Sequence, residues 1–444
     1  MLGPEYARPT LPEHAWHEPL SGGLSDARAD PSALAAWWQQ LDDPLLAALV
    51  ASADAGNLDL VAARKRVREV RSQRAVAEAA LFPTLRAKVA LSPVDPSGSS
   101  GKQATGLEGT WNTDLFGGLR RALEAATADA DAGEEARRDV QVAVSAEVAQ
   151  AYADVRSFQS RLAIADSDVD LQSEALDLAG WRAKAGLTTA LDVDQARTNL
   201  EQTRAQIPTL RTGLEQAKNR MAVLLGREPG SLEAELAPAK PIPRPPTAIA
   251  IGVPADTLQR RPDVRRAERE LAAETARIGA AKAQGYPSFS FTGTIGTEAI
   301  SPATFTHPAG LAGAAVASLV QVIFDHGAIH AKVRAQKAVR AQALARFEST
   351  VLHALEQVEN GITAYGEEQS RASALEAAAA AAERAATDSQ QRYASGLIDF
   401  QVVLDADRSL HSIQDQLVVS RGQLLSDLIE LYRSLGGGWT TGEG

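Results

Sequence analysis

Apolar positions along the chain change period in a set order, and they do so twice. Over 57–81, and again over 262–285, the spacing predicts a helix. Each stretch stops at an X-Pro step, Phe82-Pro83 or Tyr286-Pro287, where the residue before proline is pushed out of the helical region. The period then falls to two. Leu85, Ala87, Val89 and Leu91 alternate with Arg86, Lys88 and Ser92, and Phe289, Phe291 and Ile295 alternate with Ser288, Ser290, Thr292 and Thr294. These are strands with one apolar and one polar face. Turn signals follow at Pro93 to Gly98 and at Thr297 to Gly310, and a weaker second strand is expected toward Trp111–Phe116 and toward Leu319–Phe324.

A much longer helix comes next. No proline occurs from Arg120 to Ala179, and Ala151, Val155, Phe158, Leu162, Ala165 and Val169 step by four and three, the spacing of a coiled-coil seam. Val351, Leu355, Val358, Ile362 and Tyr365 do the same. Some 60 helical residues would reach ~90 Å. Tight turns are expected at Ala185-Gly186-Leu187-Thr188 and Ser395-Gly396-Leu397-Ile398, with glycine past the helix end and Thr189 or Asp399 as N-cap. A returning helix then runs to Gly226 or Gly436. Its first copy carries the seam Val193, Ala196, Leu200, Thr203, Ile207, Leu210, Leu214, Ala217, Met221 and Leu224, and Pro208 is expected to bend it.

The chain is therefore a duplication. Asp59, Ala63, Ala77, Ala79 and Pro83 recur as Asp263, Ala267, Ala281, Ala283 and Pro287; Leu115-Phe116 answers Ile323-Phe324; Arg182, Gly186-Leu187, Ala196, Leu200, Leu214 and Gly226 return as Arg392, Gly396-Leu397, Ala406, Leu410, Leu424 and Gly436. Three collinear blocks in order point to a unit of helix, β-hairpin, long helix, tight turn and returning helix. Two such units supply only four strands. A lone hairpin is marginal in water, and transmembrane barrels begin at about eight strands, so closure needs more than one chain.

Composition narrows the chemistry. The 444 residues carry a net charge of -11, which disfavours nucleic acid as a partner because phosphate binding needs a basic face. There is no cysteine, and the seven histidines show no HExxH or paired spacing. No GxGxxG, GxxxxGK[ST] or GxSxG is present, so the sequence offers no enzyme constellation, cofactor site or metal site. No run of ~18 apolar residues marks a transmembrane helix.

Several segments resemble one family, the outer-membrane factor lipoproteins of tripartite RND efflux systems, which are TolC-like channels of NodT type. They are Gly3-Pro4-Glu5-Tyr6 with Arg8-Pro9, Trp37-Trp38 with Asp42-Asp43-Pro44-Leu45, Asp114-Leu115-Phe116-Gly117, Asn219 to Gly226, Arg261 to Glu268 with Ile278 to Ala283 and Tyr286-Pro287-Ser288, and Leu431-Tyr432 with Leu435-Gly436-Gly437-Gly438-Trp439. The resemblance implies a mostly α fold with a small β part, built as a homotrimer with one twelve-stranded transmembrane β-barrel and an α-barrel tunnel through the periplasm. The shorter helices and both termini would form a belt; Trp37-Trp38 and Trp181 are expected to pack inside it, with a place at an interface as the alternative. Partners would be a periplasmic membrane-fusion adaptor protein, an inner-membrane RND pump and outer-membrane lipid. The function implied is passive export of small molecules. The exit channel of a type I protein-secretion system and a soluble coiled-coil scaffold are the alternatives; the Gly3-Pro4-Glu5-Tyr6 start and Trp37-Trp38 favour efflux, and the paired strands disfavour a scaffold.

On this reading the chain divides into an N-terminal segment and belt helix (1–56), repeat 1 (57–226, hairpin 84–116, coiled-coil hairpin 120–226), a Pro-rich linker (227–253), repeat 2 (254–436, hairpin 288–324, coiled-coil hairpin 328–436) and a tail (437–444). The family carries a lipidated Cys before Gly-Pro, behind a signal peptide. Met1-Leu2 stands at that place, so these residues do not themselves support lipid attachment.

Site residues follow by position. Asp405, Arg408 and Gln401 match the periplasmic constriction, where three copies of Asp405 would form a cation-selecting acidic ring. Read without the resemblance, Asp405 and Arg408 are an i,i+3 pair on a solvated helix face. Asp192, Arg392 and Tyr393 match links that hold adjacent coils closed, although Asp192 also suits a simple helix cap with Thr189. Gly186, Leu187, Thr188, Gly396 and Leu397 are the tips expected to meet adaptor hairpins. Leu85, Val89, Leu107, Trp111, Phe289, Phe291 and Ile295 are expected on the lipid-facing side of the strands.

Overall fold

The computed structural model describes residues 1–10, 15–28, 30–91, 103–299 and 311–439. The elements run β1 (Leu24–Ser25), α1 (Pro31–Ala35), a 3-10 turn (Trp37–Leu41), α2 (Pro44–Gly56), α3 (Leu58–Ala79), β2 (Thr84–Leu91), β3 (Gln103–Thr113), α4 (Gly118–Lys184) and α5 (Ala190–Leu224). They continue with α6 (Glu233–Leu236), β4 (Ile249–Ala250), α7 (Pro254–Arg260), α8 (Pro262–Ala283), β5 (Ser288–Ala299), β6 (Leu311–Val320), α9 (Ala328–Ala394) and α10 (Phe400–Ser434). The duplication is exact in length: 22 residues in α3 and α8, 67 in α4 and α9, 35 in α5 and α10. Boundaries of the two helical hairpins differ by a constant offset (118 and 328, 184 and 394, 190 and 400, 224 and 434).

The chain forms two compact units, and both repeats contribute to each. The first comprises Met1–Thr10, Arg64–Ala136 and Asp263–Val351. It holds a four-stranded antiparallel sheet in the order β2-β3-β5-β6, so the two hairpins lie side by side through β3 and β5. The strands stop earlier than the sequence suggests. β3 ends at Thr113 and β6 at Val320, and short connections lead from them to α4 at Gly118 and α9 at Ala328. Asp114 accepts backbone N–H bonds from Leu119 (3.0 Å) and Arg120 (2.8 Å), and Asp325 accepts from Gly327 (2.8 Å) and Ile329 (2.6 Å). Each carboxylate satisfies donors that a helix start leaves open. The expected turn at Pro93 to Gly98 lies outside the described residues; of the turn expected at Thr297 to Gly310, Thr297–Ala299 instead continue β5 and the rest lies outside the described residues.

Two motifs noted separately meet in this unit. Tyr6 donates its hydroxyl to Glu268 (2.7 Å), and Arg8 approaches the same carboxylate (3.4 Å). Gly3 (φ +96°) lies so close to Gly279 that a Cβ there would come within 2.6 Å of the Gly279 Cα. The N-terminal strap therefore needs glycine on both sides to reach α8.

The second unit comprises Leu11–Ala63, Arg137–Pro262 and Leu352–Gly444. Its core joins residues of the three expected seams to Leu425, Leu428 and Tyr432 of α10, for which no seam was expected. Ala151, Val155, Val358, Ile362, Tyr365, Met221, Leu224, Leu425, Leu428 and Tyr432 are all buried in one cluster. Trp37 is fully buried and stacks on Tyr432 with ring centroids 5.1 Å apart. Trp181 departs from its expectation: it is 74% exposed, on the last turns of α4, outside the core. α5 passes through Pro208 as a single helix.

Candidate functional site

The sheet and the hairpin tips are the two places where this chain presents chemistry. In the sheet, register assigns every side chain to a face. Leu85 pairs with Gly109, Ala87 with Leu107 and Val89 with Thr105. Leu107 opposes Ile295, Trp111 opposes Phe291 and Thr113 opposes Phe289. Phe289 opposes Leu319 and Phe291 opposes Ala317. With a side-chain period of two, all seven apolar residues named from the sequence fall on one face. The other face carries Thr84, Arg86, Lys88, Glu108, Thr110, Asn112, Ser288, Ser290, Thr292 and Thr294. The apolar face is uncovered: Leu85 is 72% exposed, Val89 69% and Ile295 49%. Trp111 stacks on Phe291 at 6.1 Å. Among the described residues, both outer strands, β2 and β6, have one unpaired edge. Among the described residues no single helix is long and apolar enough to cross a membrane.

At the tips the two turns are alike in backbone. Gly186 (φ +70°) and Gly396 (φ +72°) occupy the left-handed region, which costs glycine nothing. Gly186 N–H donates to Ala183 O (3.0 Å) and Leu187 N–H to Arg182 O (2.9 Å). Gly396 donates to Tyr393 O (3.0 Å) and Leu397 to Arg392 O (2.9 Å). This paired bonding closes the last carbonyls of each long helix. Leu187 and Leu397 are left more than 70% exposed.

The side chains diverge. Thr189 and Asp192 form a capping box on α5. The Asp192 carboxylate is bonded by the Thr188 hydroxyl, the Thr189 N–H (3.0 Å) and the Thr189 hydroxyl (2.9 Å). These donors, Thr188 first, hold the carboxyl below the usual carboxylate range. Asp399 stands at the N-cap of α10, but its side chain makes no cap bond. Arg392 is exposed and pairs with Asp388 one turn back (2.9 Å). Within one chain, therefore, Asp192 and Arg392 are each engaged on their own hairpin. Tyr393 is 7% exposed and sits between the Arg182 guanidinium (4.2 Å from ring centroid) and Phe400 (5.2 Å), with its hydroxyl unpartnered.

On α10, Gln401 donates to Asp405 (3.0 Å), and Arg408 reaches the same oxygen only at 3.5 Å. Arg408 is committed elsewhere. Its Nε and Nη2 both donate to Asn199 Oδ1 on α5, at 2.9 and 2.6 Å. Asn199, a buried residue at 7% exposure, was not singled out by the sequence reading. The signal existed: Asn199 lies three residues after Ala196 and four before Thr203, a polar side chain on an apolar seam. The same holds for Asp168 on α4, whose carboxylate bonds the His411 ring on α10. Asp407, half-buried one turn before His411, accepts from Gln390 (3.1 Å), and burial raises its carboxyl above the usual range.

Comparison with known proteins joins the two sites. The chain matches the family described as Outer membrane efflux protein over residues 49–227 and 253–437. It is 31% identical over 432 residues to "Nodulation protein T" of Rhizobium leguminosarum bv. trifolii, covering 94% of this chain and 90% of that protein. It is 31% identical over 455 residues to "Solvent efflux pump outer membrane protein SrpC" of Pseudomonas putida, covering 100% and 96%. Among solved structures, the outer-membrane channel OprN superposes with a TM-score of 0.89 at 34% identity over 99% of both chains, and CusC with 0.85 at 25% identity over 98% and 100%. The chain belongs to the outer membrane efflux protein family.

Proposed function

We propose that three copies of this chain close into the outer-membrane duct of a tripartite efflux pump. The observation that carries this reading is the four-stranded sheet, with two unpaired edges and one uncovered apolar face. Such an edge pairs with another strand or aggregates, and in lipid only a closed barrel satisfies its backbone. Three copies joined β6 to β2 give twelve strands. Leu85, Val89, Leu107, Trp111, Phe289, Phe291 and Ile295 then face lipid, and the Ser/Thr face lines the bore. Four long helices per chain continue as a periplasmic tunnel. The division into an N-terminal belt segment, two repeats, a linker and a tail belongs to the same proposal.

The tips are assigned to the periplasmic end. Gly186, Leu187, Thr188, Gly396 and Leu397 meet a membrane-fusion adaptor, and an inner-membrane RND pump supplies the energy. Three Asp405 side chains form an acidic ring, with Gln401 beside it and Arg408 anchoring it to α5. Asp192, Arg392 and Tyr393 link neighbouring coils in the closed state. The cargo is a small organic solute, in keeping with relatives named for solvent, toluene and pyoverdine export. Mass measurement of the detergent-extracted protein tests the assembly. A trimer is expected; a monomer that keeps its full β-signal refutes it.

A further inference from the structure

Two bridges tie α10 to α4. Arg161 donates to both oxygens of Asp415, Nε to Oδ1 at 2.7 Å and Nη2 to Oδ2 at 3.2 Å. One turn away on α10, the His411 Nδ1 meets the Asp168 carboxylate. The first pair is a two-pronged guanidinium–carboxylate bridge. The second depends on a proton held near neutrality. Both partners are largely covered, at 20% and 15% side-chain exposure. Asp168 and Asp407 nevertheless border a cavity of about 270 Å³ between α4, α9 and α10, so protons have a path. Among the described residues, His411 is the one histidine whose ring bonds another helix.

We propose that His411 and Asp168 form a proton-operated clasp that holds α10 against α4 at acid pH and loosens as pH rises. The groups facing it are Asp168 and Arg161 from α4, Asp407 and Asp415 from α10, and the neutral Gln390 from α9. The bond to Asp168 raises the His411 pKa above its ordinary value, Asp415 adds to this, and burial opposes it. A group whose folded value is raised stabilises fully below its free value and ceases to do so as pH climbs through the raised one. The clasp therefore holds fully below about pH 6.5 and is released as pH climbs through the raised His411 value. Asp407 borders the same seam. Burial raises its carboxyl above the usual range, the Gln390 bond opposes this and Asp168 adds to it.

Each unit by which the clasp raises the His411 pKa corresponds to about a tenfold change in the ratio of held to loosened seam. The link from clasp to gate rests on the duct reading; the clasp itself does not. The chain has no cysteine, so spin labels at Asp170→Cys and Ser409→Cys, both exposed, report the α4–α10 separation in protein diluted with unlabelled copies. Between about pH 5.5 and about pH 8.5 the parent distribution should lengthen with a midpoint above the ordinary histidine value. His411→Gln, which keeps a hydrogen bond without a titrating proton, should give one distribution at all pH values. His411→Lys, a permanent cation, should stay held across the range. An invariant parent distance, or a His411→Gln variant that titrates like the parent, overturns the clasp. Single-channel conductance over the same range reads the gate separately. Conductance that stays flat while the distance titrates overturns the link to gating and leaves the clasp standing.

Discussion

The two hairpin tips share a backbone and differ in almost every side chain that matters. Both have a 67-residue helix, a glycine turn with φ near +70° and a 35-residue return. Yet copy one has Ala183, the self-capped pair Thr189 and Asp192, Ala190 and Gln195. Copy two has Tyr393, Asp399, Phe400 and Asp405 at the corresponding places. Copy one closes on itself through its capping box. Copy two lacks that cap bond and is held from outside, by Arg182 over Tyr393, by Asn199 on Arg408 and by Asp168 on His411. The difference teaches that one hairpin is a strut and the other is held by contacts that can be released. Duplication supplied the frame, and divergence of a few polar positions made the two halves unequal.

The largest test removes the aromatic that copy one lacks. Tyr393→Ala deletes a buried ring between Arg182 and Phe400, and truncating a packed aromatic costs about 3 kcal/mol. Hydrogen exchange over residues 390–404 should accelerate strongly, with little change over 180–194. Tyr393→Phe is the control: its hydroxyl has no partner, so exchange should stay within a factor of about two of the parent. Equal loosening of both tips by Tyr393→Ala would end the division into strut and releasable part.

Next comes the anchor between hairpins. Arg408→Ala leaves the buried Asn199 carbonyl without its two donors, a loss of about 1–3 kcal/mol. Single-channel conductance should rise, because α10 is freed from α5. Asn199→Ala should raise it as well, and the double variant should add little to either. Fully additive effects would mean the two residues do not act through one another.

At the cap the two copies should part again. Asp192→Ala breaks a capping box with three donors and should cost about 1 kcal/mol, seen as fraying of the first turn of α5. Asp399→Ala removes no cap bond and should change exchange in α10 by far less. If both variants fray alike, the self-closing character of copy one is wrong.

How much of this was legible follows from which forces left a pattern. Helix seams and strand alternation record burial, and burial has a period, so Val155, Met221, Leu85 and Ile295 could all be assigned a face from spacing alone. The duplication was legible because turn glycines and X-Pro steps recur where backbone geometry demands them. The exact strand ends were not, since Asp114 and Asp325 look like strand-end polar residues until their carboxylates are seen capping helices. Trp181 defeated the reading because an aromatic on a long helix gives no sign of whether a neighbour covers it. The cross-hairpin bonds were hidden for a different reason. Asn199–Arg408 and Asp168–His411 join positions 209 and 243 residues apart, and only their place on apolar seams marked them as unusual.

The smallest effect on stability belongs to Asp405, and it discriminates most sharply between the copies. Its bond to Arg408 is long, 3.5 Å, and both groups are exposed, so the pair is worth about 0.5 kcal/mol or less. Because Arg408 is turned toward Asn199, the Asp405 charge is only loosely neutralised, and in the proposed acidic ring it would face passing ions. Three such charges near ~6 Å repel by under about 1 kcal/mol per pair in water and by more in a neck that excludes it, which is a field a cation relieves. Asp405→Ala should therefore leave thermal stability unchanged while lowering cation preference in a planar bilayer, measured as a shift in reversal potential. The counterpart in copy one is Gln195, whose side-chain oxygen is buried without a partner. A carboxyl placed there by Gln195→Glu faces a desolvated site and is pushed toward its neutral form, so it should add no cation preference. A reversal potential that moves as much for Gln195→Glu as for Asp405→Ala would place both copies at the aperture and make the two hairpins equal partners in the gate.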